Sequence, residues 1–157
     1  SHMKGVAPTG TGLLPFLNTV VSQREVSMEE ILDAIDRADQ AMWEAGIVAV
    51  GDICNKLDTQ VTKSKSPIRY YSFVEMFDFM LDQNATTSFE QYKAVFEKQS
   101  TDNGNKKSAV PHAPYTVSKT LFQLINGLNT DIGTVSIHNQ ETAHENNYFL
   151  KSNKCGR

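Results

Sequence analysis

Gly46-Ile47-Val48-Ala49-Val50-Gly51-Asp52-Ile53 is the stretch on which the fold class turns. From Ile47 to Ile53 it is mostly apolar at odd and even positions alike. A strand that is apolar on both faces suits a parallel sheet covered on both sides. A helix pattern leads into it. Ser27 followed by Glu30 is a capping box, and Ile31, Ile35, Ala38 and Met42 recur at helical spacing as its buried stripe. Gly46 stands where helices commonly end in the left-handed conformation. Further back, Leu13, Phe16, Leu17, Val20 and Val21 mark an earlier helix with Pro15 in its tolerant first turn. Residues 1–11, with Pro8 and Gly10, read as loop.

Downstream, residues 55–67 are polar and read as a loop or short helix. Ile68 to Phe77 is aromatic and β-branched, as a buried strand would be. Phe77 to Leu81 is expected to begin a helix, and Ser88 with Gln91 is a second capping box ahead of Phe89, Tyr92, Val95 and Phe96. Asp102-Asn103-Gly104-Asn105 is a turn signal, and Ser108 to Pro111 a short strand. Ser118 can cap a helix whose inner face is Leu121, Leu124, Ile125 and Leu128. Gly133 to His138 reads as a fourth strand, and Thr142 with Glu145 as a third capping box. Strands separated by helices imply parallel pairing through right-handed crossovers. The expectation is an α/β chain, with a small open sheet as one form. The other form is half of an eight-stranded barrel, a fold that needs about 250 residues.

Composition narrows the function classes. The chain has 157 residues, 39% apolar and 21% charged, enough for a core and too mixed for general disorder. Fifteen basic and 18 acidic residues leave a net charge of −3, which offers nothing to nucleic acid or an anionic membrane. Lys63-Ser64-Lys65 and Lys106-Lys107 read as solvated loops. Cys54 and Cys155 form neither a disulfide framework nor a CxxC metal site, so a reducing, cytoplasmic compartment is expected. No run approaches the roughly 18 apolar residues of a spanning helix. Ser1-His2-Met3 reads as a tag-cleavage remnant.

In parallel α/β folds ligands bind at the carboxyl ends of the strands. Three segments carry polar groups there: Gly51 to Asn55, Val110 to Tyr115, and Val135 to Glu141. In the last two a histidine closes an apolar strand just before a capped helix, so His112 and His138 share one crevice. Neutral imidazole binds metals, and a carboxylate three residues on, Glu141, can exchange protons with a metal's water. The plain alternative is that His138 only caps or hydrogen-bonds and that Glu141 is a solvated residue near a helix start. Pro111 and Pro114 stiffen the His112 loop, which suits a preorganised site or simply a tight loop. Tyr115 either faces substrate or packs. Asp52 either faces the site or caps the next segment. Glu75, inside an apolar strand, needs a partner, whether in a buried pair or at the site. His144 falls on a polar helix face and is expected to be exposed.

Val110-Pro111-His112-Ala113-Pro114-Tyr115-Thr116-Val117-Ser118 resembles the strand-four motif of the metal-dependent amidohydrolase superfamily. Val135-Ser136-Ile137-His138-Asn139-Gln140-Glu141-Thr142 resembles its strand-five motif, with Glu145 continuing the pattern. Gly46 to Ile53 resembles its second strand, and Lys4-Gly5 through Thr11-Gly12-Leu13-Leu14 the segment after its first. The likeness spans nearly the whole chain and is strongest to the branch of cytosine and guanine deaminases, adenosine-type deaminases and triazine chlorohydrolases. It implies a partial (β/α)8 barrel covering about strands 2–5, with strand 1 and strands 6–8 absent. It also implies zinc or iron as cofactor, with His138 a metal ligand and Glu141 the catalytic proton shuttle. His112 and Tyr115 would bind substrate, His112 holding either the substrate or its developing charge. The reaction implied is hydrolysis of a C–N bond in a small aminated heterocycle, with chloride or amide leaving groups as alternatives. A non-catalytic α/β binding module remains the other class.

The resemblance makes residues 1–157 one internal fragment of a catalytic barrel. The family's His-x-His pair, its strand-six histidine and its strand-eight aspartate have no counterpart here. A catalytic zinc takes about three protein ligands. Counting one, the sequence predicts that the fragment alone binds metal weakly or not at all and is inactive. Cut sheet edges and an uncovered inner face predict self-association or rearrangement of the barrel geometry.

Overall fold

The computed structural model describes residues 5–6, 9–10, 12–23, 25–129 and 133–152. Ser1-His2-Met3, Lys4, Pro8, Thr11 and Cys155, each used in the sequence reading, lie outside them. The chain divides into two compact units, residues 1–50 with 58–69, and residues 51–57 with 70–157.

Among the described residues the first unit holds three helices, α1 (Leu13–Gln23), α2 (Met28–Glu44) and α3 (Gln60–Lys65). The predicted cap of α2 forms in both directions: Ser27 accepts from the Glu30 N–H, and the Glu30 carboxylate accepts from the Ser27 N–H. Gly46 ends the helix at φ 83°, a conformation that a Cβ would strain. The expected stripe is only half-buried, and Ala34 is the buried residue of α2. α1 forms as expected but leaves Phe16, Leu17 and Val21 exposed. Thr62 and Ser66 tie α3 to α2 through Asp36 and Asp39. Lys63, expected in a solvated loop, is buried in α3 instead.

The second unit carries the sheet's core. Strands β1 (Ala49–Cys54), β2 (Arg69–Met76) and β3 (Lys106–Pro111) lie in the order β1-β2-β3, and β2 pairs with β3 in parallel, Phe73 beside Ser108 and Glu75 beside Val110. Alternation sends Val74 and Met76 to one face. There they pack with Ala109 against Ala85 and Phe89 of α4 (Ala85–Lys98) and Leu121 and Ile125 of α5 (Lys119–Leu128). Burying each large apolar side chain there contributes about 1.5–3 kcal/mol. Tyr71, Phe73 and Glu75 take the opposite face, where the first two rings stack at 4.7 Å. A Cβ on Gly51 would meet the Phe73 ring at 3.1 Å, which places Gly51 on that face and Asp52 on the other. Among the described residues the result is an open three-stranded parallel sheet with flanking helices, a partial barrel arrangement. Among the described residues no helix is long and apolar enough to cross a membrane.

Besides Lys63, four local expectations are corrected. The fourth strand, Gly133 to His138, is not a strand: the segment carries no regular structure. The reason lies on β3, whose Ala109 N–H and C=O are both occupied by the side-chain amide of Asn129. The segment is held instead by Ser108 Oγ on Thr134 O and by His138 N–H on His112 O. Phe77 to Leu81 does not begin a helix, because Phe79 and Met80 have positive φ and the Asp78 and Phe79 N–H groups both donate to Thr116 O. α4 starts at Ala85, so Ser88 is inside its first turns and caps nothing. Lys106-Lys107 is no solvated loop: it opens β3, and Lys107 Nζ donates to the carbonyls of Phe96, Glu97 and Gln99 at the end of α4. Burial pushes that ammonium below the ordinary lysine range, partly opposed by Glu97.

Candidate active site

The carboxyl ends of β2 and β3 supply the site. Glu75 is the penultimate residue of β2, and its inward parity follows from the alternation that sends Val74 and Met76 to the core. His112 follows β3, and its N–H continues the ladder onto Met76 O at 3.1 Å. Its ring packs edge-on to Phe77, 5.5 Å between centroids. After it the chain turns tightly, Thr116 N–H donating to Ala113 O, before Ser118 caps α5 by accepting from Leu121 N–H. The buried Asp78 carboxylate accepts from the Ser118 N–H and hydroxyl, locking the turn to the end of β2.

His138 reaches the same place without a strand to carry it. Its backbone bond to His112 O, 2.9 Å, brings the rings to a centroid separation of 5.3 Å. His138 Nε2 lies 3.1 Å from Glu75 Oε1, and Nδ1 lies 3.9 Å from Glu141 Oε1. The imidazole therefore stands between two carboxylates, one buried and one open. Glu75, His112 and His138 present ligand atoms that all fall within 4.8 Å of one another. Two imidazoles and a carboxylate are a donor set that suits zinc or iron, so these side chains fit a divalent metal.

Glu141 is braced at both ends. Tyr115 donates its hydroxyl to Glu141 Oε2 at 3.0 Å, and the Glu145 carboxylate accepts from the N–H groups of Glu141 and Gln140. The third capping box is thus half-formed: Thr142 Oγ1 accepts from Glu145 N–H, but the Glu145 carboxylate reaches past the cap at the start of α6 (Ala143–Ser152). Burial, and then the bond to Glu141, pushes the Tyr115 phenol up to about 12.

Sequence reasoning nominated His112, Tyr115, His138 and Glu141, and the structure gathers all four at one end of the sheet. It settles Glu75, left open between a buried pair and the site, next to His138. It sends Asp52 to the helix-covered face, away from the cluster, and leaves His144 exposed as expected. Thr116, whose Oγ1 lies 2.8 Å from His112 Nδ1, went unremarked. A hydroxyl one helical turn after the histidine was the only signal it gave. A cleft of about 600 Å³ at the start of α5 is lined by Met80, Ala113, Pro114, Phe122 and Ile137, and by none of the site residues.

No protein-family model matches the chain, and no curated protein does. Solved structures do. The crystal structure of Helicobacter pylori aminofutalosine deaminase superposes with a TM-score of 0.65 at 25% identity, over 83% of this chain and 31% of that one. The chain is homologous to part of a deaminase. The same enzyme in complex with methylthio-coformycin gives a TM-score of 0.70 at 24% identity, over 92% of this chain and 35% of the other. The chain spans about a third of the length of the deaminase it matches. This homology to the deaminase branch agrees with the amidohydrolase resemblance of the His112 and His138 motifs.

Proposed function

We propose that this chain supplies strands 2–4 and the segment bearing the strand-five histidine of the catalytic barrel of a metal-dependent deaminase, which releases ammonia from a small aminated heterocycle. The observation that carries it is the convergence of His138, Glu141, His112 and Glu75 at the carboxyl end of a parallel sheet like that of a deaminase. His138 would hold zinc or iron, with Glu75 and His112 beside it. When bound, such a metal supplies Lewis acidity. Glu141, 3.9 Å from His138 Nδ1, would take a proton from the attacking water and return it to the leaving nitrogen. Tyr115 would act in part through Glu141, by holding its second oxygen. His112 would meet the substrate.

On this reading residues 1–157 alone do not turn over, for want of further ligands, and the working enzyme is a larger, cytoplasmic protein. The test is ammonia release from a panel of aminated heterocycles by the polypeptide encoded by the complete reading frame, loaded with zinc or iron. Activity that falls at least 100-fold in Glu141→Gln is expected, in line with the 10²–10⁴-fold of general acid–base catalysis. A reading frame that ends with this chain, or a Glu141→Gln variant of undiminished activity, would sink the proposal.

A further inference from the structure

His112 Nδ1 lies 2.8 Å from Thr116 Oγ1, and the same hydroxyl lies 3.2 Å from the carbonyl oxygen of Ala113. A hydroxyl has one proton to give, and a carbonyl can only accept. If the proton pointed at Nδ1, Oγ1 would face the Ala113 carbonyl oxygen with no proton between them, in a buried turn. Both contacts are hydrogen bonds in one arrangement only: Nδ1–H donates to Oγ1, and Oγ1–H donates to Ala113 O. Thr116 has little freedom to do otherwise. It is buried, its N–H donates to Ala113 O at 3.1 Å, and its carbonyl accepts from Asp78 and Phe79 at 3.1 and 2.9 Å.

We propose that Thr116 is a positioning residue that fixes neutral His112 as the Nδ1–H tautomer, so that Nε2 meets the ligand as an electron-pair donor. This rests on the reading that His112 faces the ligand, and it decides between the two roles that reading left open. A neutral His112 of this tautomer accepts from a ring or amino N–H, or binds a cation. It does not donate to a carbonyl or a developing oxyanion. The ligand class is therefore one that presents an electron-pair acceptor at this point, an N–H of an aminated heterocycle or a divalent cation.

The ¹⁵N-labelled chain, at a pH where its imidazoles are neutral, reports the tautomer through long-range ¹H–¹⁵N couplings. A single Nδ1–H species is expected for His112, retained in Thr116→Ser and replaced by a mixture in the near-isosteric Thr116→Val, while the exposed His144 stays unchanged. A wild-type His112 in the Nε2–H form overturns the proposal, whether or not the valine variant folds. So does a folded Thr116→Val variant whose tautomer is undisturbed. Zinc titration separates the two ligand sources. A shift at His112 Nε2 together with His138 assigns the electron pair to a cation, and a shift at His138 alone assigns it to an N–H donor. Zinc on His112 Nδ1 contradicts the proposal. The tautomer is read without turnover, so its failure and the failure of the deaminase reading are separate results.

Discussion

At the scale of single residues, the site is organised by what holds the reactive groups. Glu75 sits 3.1 Å from His138 Nε2 and is one of the three candidate donors, and even a group that only orients a metal ligand commonly carries 10–100-fold in affinity. Glu75→Ala is therefore expected to weaken zinc binding by about that factor in calorimetric titration of the chain, and unchanged affinity would remove Glu75 from the site. Tyr115 offers a pH test. Its phenol is raised from 10.0 to about 12, so the fold favours the neutral form. The stability this contributes is complete below about pH 10 and is lost as pH rises through about 12. Ultraviolet titration of the phenols should show a late step that disappears in Tyr115→Phe. His112, His138 and Glu141 were legible because ordered motifs surround them, and Glu75 because a carboxylate in an apolar strand demands a partner. Thr116 was not, since its role exists only once a turn folds its hydroxyl back on a ring four residues earlier.

At the scale of elements, caps that depend on neighbours in sequence were readable, and those that depend on tertiary partners were not. Ser27 with Glu30, and Ser118 ahead of Leu121, behave as local chemistry dictates. Ser88 with Gln91 has the same pattern, yet α4 begins one turn earlier, where the 3-10 turn Asp82–Asn84 is tied to α5 by Asp82 accepting from Thr120 N–H. Periodicity likewise found three strands and over-counted a fourth, because a ladder needs a free partner as well as an apolar run. Two substitutions measure these ties. Ser118→Ala removes a helix cap and a hydroxyl from the buried Asp78, and should lower unfolding free energy by about 1–2 kcal/mol in urea. Asn129→Ala strands both backbone groups of Ala109, at about 1–3 kcal/mol. A loss under a few tenths of a kcal/mol in either variant would mean that water replaces the lost partner.

At the scale of the whole molecule, the sheet-bearing unit keeps much apolar surface in contact with solvent. Ile53, Val135 and Ile137 are exposed, and the stacked Tyr71 and Phe73 are only half-covered. Surfaces of this kind favour association, and sedimentation velocity is expected to show the chain shifting from monomer to dimer as concentration rises. A monomer throughout the micromolar range would contradict this. The fold class was legible at this scale because the strands are apolar at odd and even positions alike, although β1 buries neither of its faces fully. The Asn129 amide bears on the form that association takes. An unpaired outer strand is a template on which other chains can add strand after strand, the route to fibrils. By filling the Ala109 position with a side chain that matches a strand's own donor and acceptor, Asn129 interrupts that template in the middle of β3. A strand arriving at that edge would meet an amide already seated where it needs a free backbone donor and acceptor.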